Sequence, residues 1–155
     1  MINCNVRWML RTDLEEILNI EQLSFGKNAW TKREFVGHLS KRNIVGMVAE
    51  VDLAVFGYMI YELHPHKMII LNFAVHPEAR RSGVGARMIY KLKRKLHPFR
   101  RNTIELTVQD SNLDAHNFFS SQGLVATKVL HNYFDNGSDA YEFKYLYDWI
   151  QSAMR

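Results

Sequence analysis

Cysteine is nearly absent from the sequence: Cys4 stands alone among 155 residues, so no disulfide can form within the chain and a small disulfide-stapled fold is excluded. Proline is almost as scarce, with three residues, and no repeat, low-complexity run or Pro/Gly/Ser linker interrupts the pattern. A single domain over 1–155 with one proper core is therefore expected. Long apolar runs are missing too. The longest, Leu53 to Tyr61, falls well short of the roughly 20 residues a bilayer-crossing helix needs, and MINCNVRWML carries an arginine where a signal peptide would be apolar. A cytoplasmic protein with no membrane partner is the expectation. Neither sign of charge dominates. The net charge of +4 suits an anionic ligand as well as an ordinary solvated surface.

What is present is a regular succession of periodic segments. Thr12-Asp13-Leu14-Glu15 has capping-box spacing, and Leu14, Ile17, Leu18 and Leu23 continue it as a helical apolar stripe, so a first helix is expected from near Thr12. Thr31-Lys32-Arg33-Glu34 repeats the signal ahead of Phe35, Val36 and Leu39. From Ile44 to Val75 the pattern changes to three β-rich runs, Ile44 to Glu50, Ala54 to Glu62 and Met68 to Val75, which read as an antiparallel meander. The third, MIILNFAV, is apolar almost throughout and is expected at the centre of a sheet, covered on both faces. A helix follows Gly83 and ends before Pro98, Thr103 to Gln109 alternates as a strand, and Asn112 to Gln122 reads as a helix with Gly123 at its C-cap. Leu124 to Phe134 and Asp139 to Tyr147 read as a hairpin around Asp135-Asn136-Gly137-Ser138.

Between the third strand and the following helix lies HPEARRSGVG, His76 to Gly85. A strand, a glycine turn and a helix N-terminus bring unpaired N–H groups and the helix dipole onto negative charge, and Arg80 and Arg81 can add charge-assisted bonds. A Walker loop is disfavoured because Gly85-Ala86-Arg87 lacks the lysine and hydroxyl. A dinucleotide fingerprint is disfavoured because Met88 stands where a third small residue is needed.

Arg80-x-x-Gly83-x-Gly85 after Val75-His76-Pro77 resembles the pyrophosphate loop of the GNAT superfamily of N-acetyltransferases. Leu106 to Asn112 with Ala115, Phe118, Phe119 and Gly123-Leu124 resembles that superfamily's next strand and helix. Asn132-Tyr133-Phe134 with Asn136 to Ala140, and Phe25 with Trp30-Thr31, resemble the branch of ribosomal-protein alanine N-acetyltransferases. The likeness runs in order from about Val6 to Tyr147. It implies an α/β (α+β) fold with a central mixed, mostly antiparallel twisted sheet of about six to seven strands flanked by about four helices. It also implies acetyl-coenzyme A as cosubstrate, with Phe73, Ala74 and Val75 offering backbone groups to the acetyl and pantetheine portion. Arg80, Arg81, Ser82, Gly83, Val84 and Gly85 would hold the pyrophosphate, Asn112 would contact the pantetheine, and Phe119 would lie near the thioester. Phe25, Trp30 and Tyr133 would meet the acceptor. Apolar side chains such as Phe73, Val75 and Phe119 serve equally well as plain core, and Asn112 as a helix N-cap.

The branch usually has a glutamate where this chain has Thr107 and a tyrosine where it has Phe119. Neither replacement titrates usefully, so Glu105, two residues from Thr107 on the same strand face, and Tyr133 become the candidates to move the proton, with Glu105 relaying it through water or the Thr107 hydroxyl. The competing reading of Glu105 is a surface carboxylate paired with a lysine or arginine. A missing strong base harms lysine acetylation most: an α-amino group, with a pKa of about 7.7–8.0, is on the order of a tenth neutral at pH 7, and a lysine at about 10.4 is almost wholly charged. A protein α-amino group, by analogy of a ribosomal protein, is the leading acceptor. A small amine, or an acyl-coenzyme A-binding module without turnover, are the alternatives. No metal is expected, since His64-Pro65-His66 has no third ligand nearby. The basic cluster from Lys91 to Arg101 reads as a solvated helix face, so no direct nucleic-acid contact is expected. A monomer or weak homodimer completes the expectation.

Overall fold

The computed structural model describes residues 3–147. Among them, seven strands and four α-helices follow in the order β1 (Cys4–Trp8), α1 (Leu14–Phe25), α2 (Lys32–Leu39), β2 (Ile44–Val51), β3 (Ala54–Leu63), β4 (Lys67–Val75), α3 (Val84–Lys93), β5 (Thr103–Gln109), α4 (Leu113–Ser121), β6 (Val125–Leu130) and β7 (Ala140–Leu146). The strands form one mixed sheet in the order β1-β2-β3-β4-β5-β7-β6. Ladders β1–β2, β2–β3, β5–β7 and β6–β7 are antiparallel, and β4–β5 is parallel over Lys67–Thr103 to Ile69–Glu105. The expected mixed, mostly antiparallel sheet with four helices is what the chain forms. Two compact units divide it: one takes in the chain to Leu63 with Ile70–Arg94, the other His64–Ile69 and the chain from Lys95.

In the first unit, α1 and α2 bury Ile17, Ile20 and Phe35 against Val48, Tyr58 and Ile60, each large apolar side chain contributing about 1.5–3 kcal/mol. The other helix of this unit, α3, buries Val84, Met88, Ile89 and Leu92. Its approach to β3 needs a glycine. A Cβ on Gly57 would lie 3.0 Å from Met88 Sδ and 3.4 Å from Ala74 O. Cys4 is buried at the start of β1, and burial pushes its thiol up, leaving it an inert small hydrophobe.

The second cap signal is realised as read: the Thr31 hydroxyl accepts the Glu34 N–H and the Glu34 carboxylate accepts the Thr31 N–H. The first is not. A short 3-10 turn over Arg11–Asp13 precedes α1, and Asp13 rather than Thr12 organises the entry, accepting the Leu10 N–H at 2.7 Å and a bidentate pair from Arg7 at 2.8 and 2.9 Å. The Asp13 carboxylate, held in place by a guanidinium from β1, is a stronger acceptor for the backbone N–H than a lone hydroxyl. β4 is central, but its burial alternates: Met68, Ile70, Asn72 and Ala74 are buried, and Ile69, Leu71, Phe73 and Val75 are half-buried. Both faces are covered, the second only in part, with Leu71 packing against the Ile17, Ile20 and Phe35 core. In the second unit α4 covers β7, with His116 edge-on to Tyr141 and Phe143 at 5.1 and 5.3 Å. The final hairpin is shorter than its apolar pattern, because Asp139 accepts the Asn132 N–H, Asn136 accepts the Ser138 N–H, and Ser138 O accepts from Tyr133 and Phe134, closing an ordered loop over 131–139.

Candidate functional site

The anion cradle belongs to the first unit and grows out of the end of β4. His76 N donates to Phe56 O, and the His76 ring accepts the Glu78 N–H to cap the turn Pro77–Ala79. Arg80 closes this frame: Nε donates to Val75 O at 3.1 Å and Nη2 to Ser24 Oγ at 3.2 Å. The Ser82 hydroxyl donates to Ala79 O. Arg81 and Gly83 then take φ of 62° and 89°, and two left-handed residues separated by one turn the intervening N–H groups to one side. α3 starts at Val84. Its first ladder bond runs from Arg87 N to Gly83 O at 3.0 Å, so the amides of Val84, Gly85 and Ala86 have no partner within the helix. No acidic residue lies in this first turn.

A phosphate fits this arrangement. A Cβ built on Gly83 meets nothing within 4 Å, so the space above the turn is open, and Arg81 beside it is exposed. Both arginines are exposed, and Arg80 in addition ties β4 to α1. Val84 is buried, which leaves only its backbone to face a ligand. Phe73 and Val75 are half-buried and Ala74 buried. Phe25 and Trp30 pack partly buried on the core, Trp30 stacking on His38 at 4.3 Å and meeting Phe35 edge-on at 5.2 Å.

Beneath Trp30 lies a buried carboxylate that sequence reasoning did not single out. Glu21 is 1% exposed; it accepts the Trp30 N–H at 2.8 Å, the Asn72 amide at 2.7 Å, and the Tyr58 hydroxyl. Burial, followed by this carboxylate, holds the Tyr58 phenol far above its ordinary range. The signal was available, since Ile17, Ile20 and Glu21 share one helical face.

The second unit carries the residues expected near the chemistry. Asn112 is the N-cap of α4, its side chain accepting the Ala115 N–H at 3.2 Å, and it is exposed. Phe119 is buried against Phe118 and Phe143, so its ring is core. Tyr133 is exposed on the 131–139 loop with its ring edge-on to Phe134 at 5.0 Å. Thr107 is half-buried on β5, on the face shared with Glu105. Glu105 lies between Lys67 at 3.1 Å and Lys144 at 3.3 Å; burial pushes its carboxyl up, but the two ammonium groups outweigh burial and hold it below the usual carboxylate range. The competing reading of Glu105 as a paired carboxylate fits this geometry better than the role of base. Directly across from Thr107 on β7 stands Glu142, which sequence reading missed because the hairpin register is invisible in a single strand's pattern.

Among the described residues no cluster of His, Cys, Asp and Glu could hold a metal ion, and no helix is long and apolar enough to cross a membrane.

Residues 6–124 match the Acetyltransferase (GNAT) family, whose cosubstrate is acetyl-coenzyme A. An N-alpha-acetyltransferase of Sulfurisphaera tokodaii is 29% identical over 143 residues, covering 84% of this chain and 85% of the relative. One from Saccharolobus solfataricus is 27% identical over 142 residues, covering 83% and 84%. The fold matches Ard1 from Thermoplasma volcanium with a TM-score of 0.83 at 24% identity, covering 94% of this chain and 98% of that one. It also matches the ribosomal-protein-S18-alanine N-acetyltransferase from Escherichia coli with a TM-score of 0.80 at 21% identity, covering 92% and 93%. With the phosphate cradle, the order of elements and the family match spanning both units, the chain belongs to the GNAT family of acetyltransferases.

Proposed function

We propose that the protein transfers the acetyl group of acetyl-coenzyme A to the α-amino group of a protein N-terminus. The observation that carries this is the glycine turn at Arg81 to Gly85 before α3, with open space above Gly83; on β5, Thr107 stands where the resembled branch has a glutamate. An acceptor that is on the order of a tenth neutral at pH 7 needs little deprotonation, and a thiol with a pKa near 8.5 leaves with little help from an acid. The names of the archaeal relatives support the same acceptor. In this reading Arg81 and the α3 amides hold the pyrophosphate, β4 from Phe73 to Val75 presents backbone groups to the pantetheine, and Asn112 adds a contact while capping α4. Phe25, Trp30 and Tyr133 border the acceptor. The likeness to the Escherichia coli enzyme supports a ribosomal protein as acceptor. A single catalytic domain, acting in the cytoplasm as a monomer or weak homodimer, belongs to the same reading.

Calorimetric titration with acetyl-coenzyme A, combined with thiol release on amino-terminal peptides and on small amines, tests it. Binding with thiol release on peptides is the expected result. Release confined to small amines, or binding without release, contradicts it.

A further inference from the structure

The excess positive charge of the chain is concentrated in two short segments of the second unit, 64–67 and 95–102. Together they hold Lys67, Lys95, Arg100 and Arg101, the imidazoles of His64, His66 and His97, and no acidic residue, which leaves sixteen basic and sixteen acidic residues for the rest of the chain. The sequence pattern reads Lys91 to Arg101 as one solvated helix face, but α3 ends at Lys93, and the residues from Lys95 form a loop bonded to the 64–67 turn. Arg101 Nε donates to His64 O at 2.7 Å and Asn102 N to His66 O at 3.1 Å. Within the loop, His97 N donates to Arg101 O at 2.8 Å and Phe99 N to His97 Nδ1 at 3.1 Å. On this bonded backbone the Phe99 ring is 79% exposed, with the His97 ring 6.0 Å away. His66, Lys95, His97 and Arg100 are exposed as well, and Arg101 is half-buried. A lone exposed ring is ordinary; a ring set among cations on a fixed loop has the two parts of a stacking platform.

We propose that the surface formed by the 95–102 loop and the 64–67 turn binds single-stranded RNA. The inference goes beyond the acetyl-transfer reading and does not depend on it. Lys67 is shared with Glu105 at 3.1 Å, so the phosphate backbone falls to Lys95, Arg100 and Arg101. Phe99 offers its face to one unpaired base, which a duplex would keep stacked on its neighbours. An acidic polypeptide would match the cations and leave the ring without a counterpart. Because His97 Nδ1 accepts the Phe99 N–H, the neutral ring carries its hydrogen on Nε2, a donor for a phosphate oxygen or a ribose 2′-hydroxyl. The 2′-hydroxyl is what separates RNA from DNA at such a site.

The test is fluorescence anisotropy of a labelled oligoadenylate of about ten nucleotides titrated with the full chain at several salt concentrations. With two or three cations engaged, the logarithm of the affinity is expected to fall against the logarithm of salt with a slope of about −1.4 to −2. Phe99→Ala is expected to weaken binding at least about 5-fold with the slope kept, and Arg100→Ala to make the slope shallower by about 0.7. Both side chains are exposed, so the core stays as it is in either variant. The deoxy strand of the same sequence is expected to bind more weakly, and excess coenzyme A to leave the oligoadenylate bound. No binding, binding that neither variant alters, or displacement by coenzyme A, which would put the strand at the cradle, overturns the proposal. Equal affinity for the deoxy strand overturns the choice of RNA. Equally tight binding of a polyglutamate peptide of the same charge overturns it in favour of an acidic polypeptide.

Discussion

Gly83 carries two demands at once: a φ of +89°, which costs an L-residue roughly 1–2 kcal/mol, and an open space above its Cα that the proposed function fills with the ligand's oxygens. Gly83→Asp is expected to abolish acetyl-coenzyme A binding by adding a negative charge to that space, read as loss of the calorimetric signal with the far-ultraviolet spectrum retained. Asp13 shows a different economy. The Arg7 guanidinium, with the Leu10 N–H, holds its carboxyl below the usual range against the opposing effect of burial. A depressed carboxyl contributes stability that is present above its unfolded value of about 3.9 and is lost as pH falls through the folded value. Asp13→Asn is therefore expected to cost about 1.5–3 kcal/mol at pH 7, with the difference from the unaltered protein closing below about pH 3. Urea unfolding at the two pH values measures both.

At the scale of elements, α1 does more than cover the sheet. Glu21 gathers donors from β3, from β4 and from the backbone at Trp30, so the segment bordering the proposed acceptor site hangs on one buried carboxylate. Glu21→Ala leaves three donors without their acceptor and is expected to destabilise by more than about 3 kcal/mol, seen as a lower urea midpoint; a midpoint within experimental error of the unaltered protein would contradict this anchoring role. Elements whose information is local were legible: Thr31 and Glu34 cap α2 as their spacing says, Thr103–Gln109 is a strand over the residues expected, and Gly123 turns left-handed after α4. What failed depended on partners distant in sequence. Thr12 lost its role to Asp13, which an arginine on β1 holds in place, the apolar run of β4 concealed an alternation in depth of burial, and the hairpin shortened because Asp139 and Asn136 bond backbone groups rather than leave them to the ladder. The glycine turn and the start of α3 were legible because glycine, arginine and a helix start are contiguous. Glu142 was not, because it meets Thr107 only through the β5–β7 register.

For the whole molecule, the family fixes the reaction class and the cosubstrate, and the acceptor is the claim to test. The most direct measurement is thiol release at pH 7 on two versions of one short peptide: lysine-free with a free α-amine, and the same sequence with a blocked amino terminus and one internal lysine. Release on the free α-amine at a rate at least about 10-fold above that on the lysine is expected, from the difference in neutral fraction between the two amines. Equal release on both, or release on the lysine alone, would contradict an α-amino acceptor.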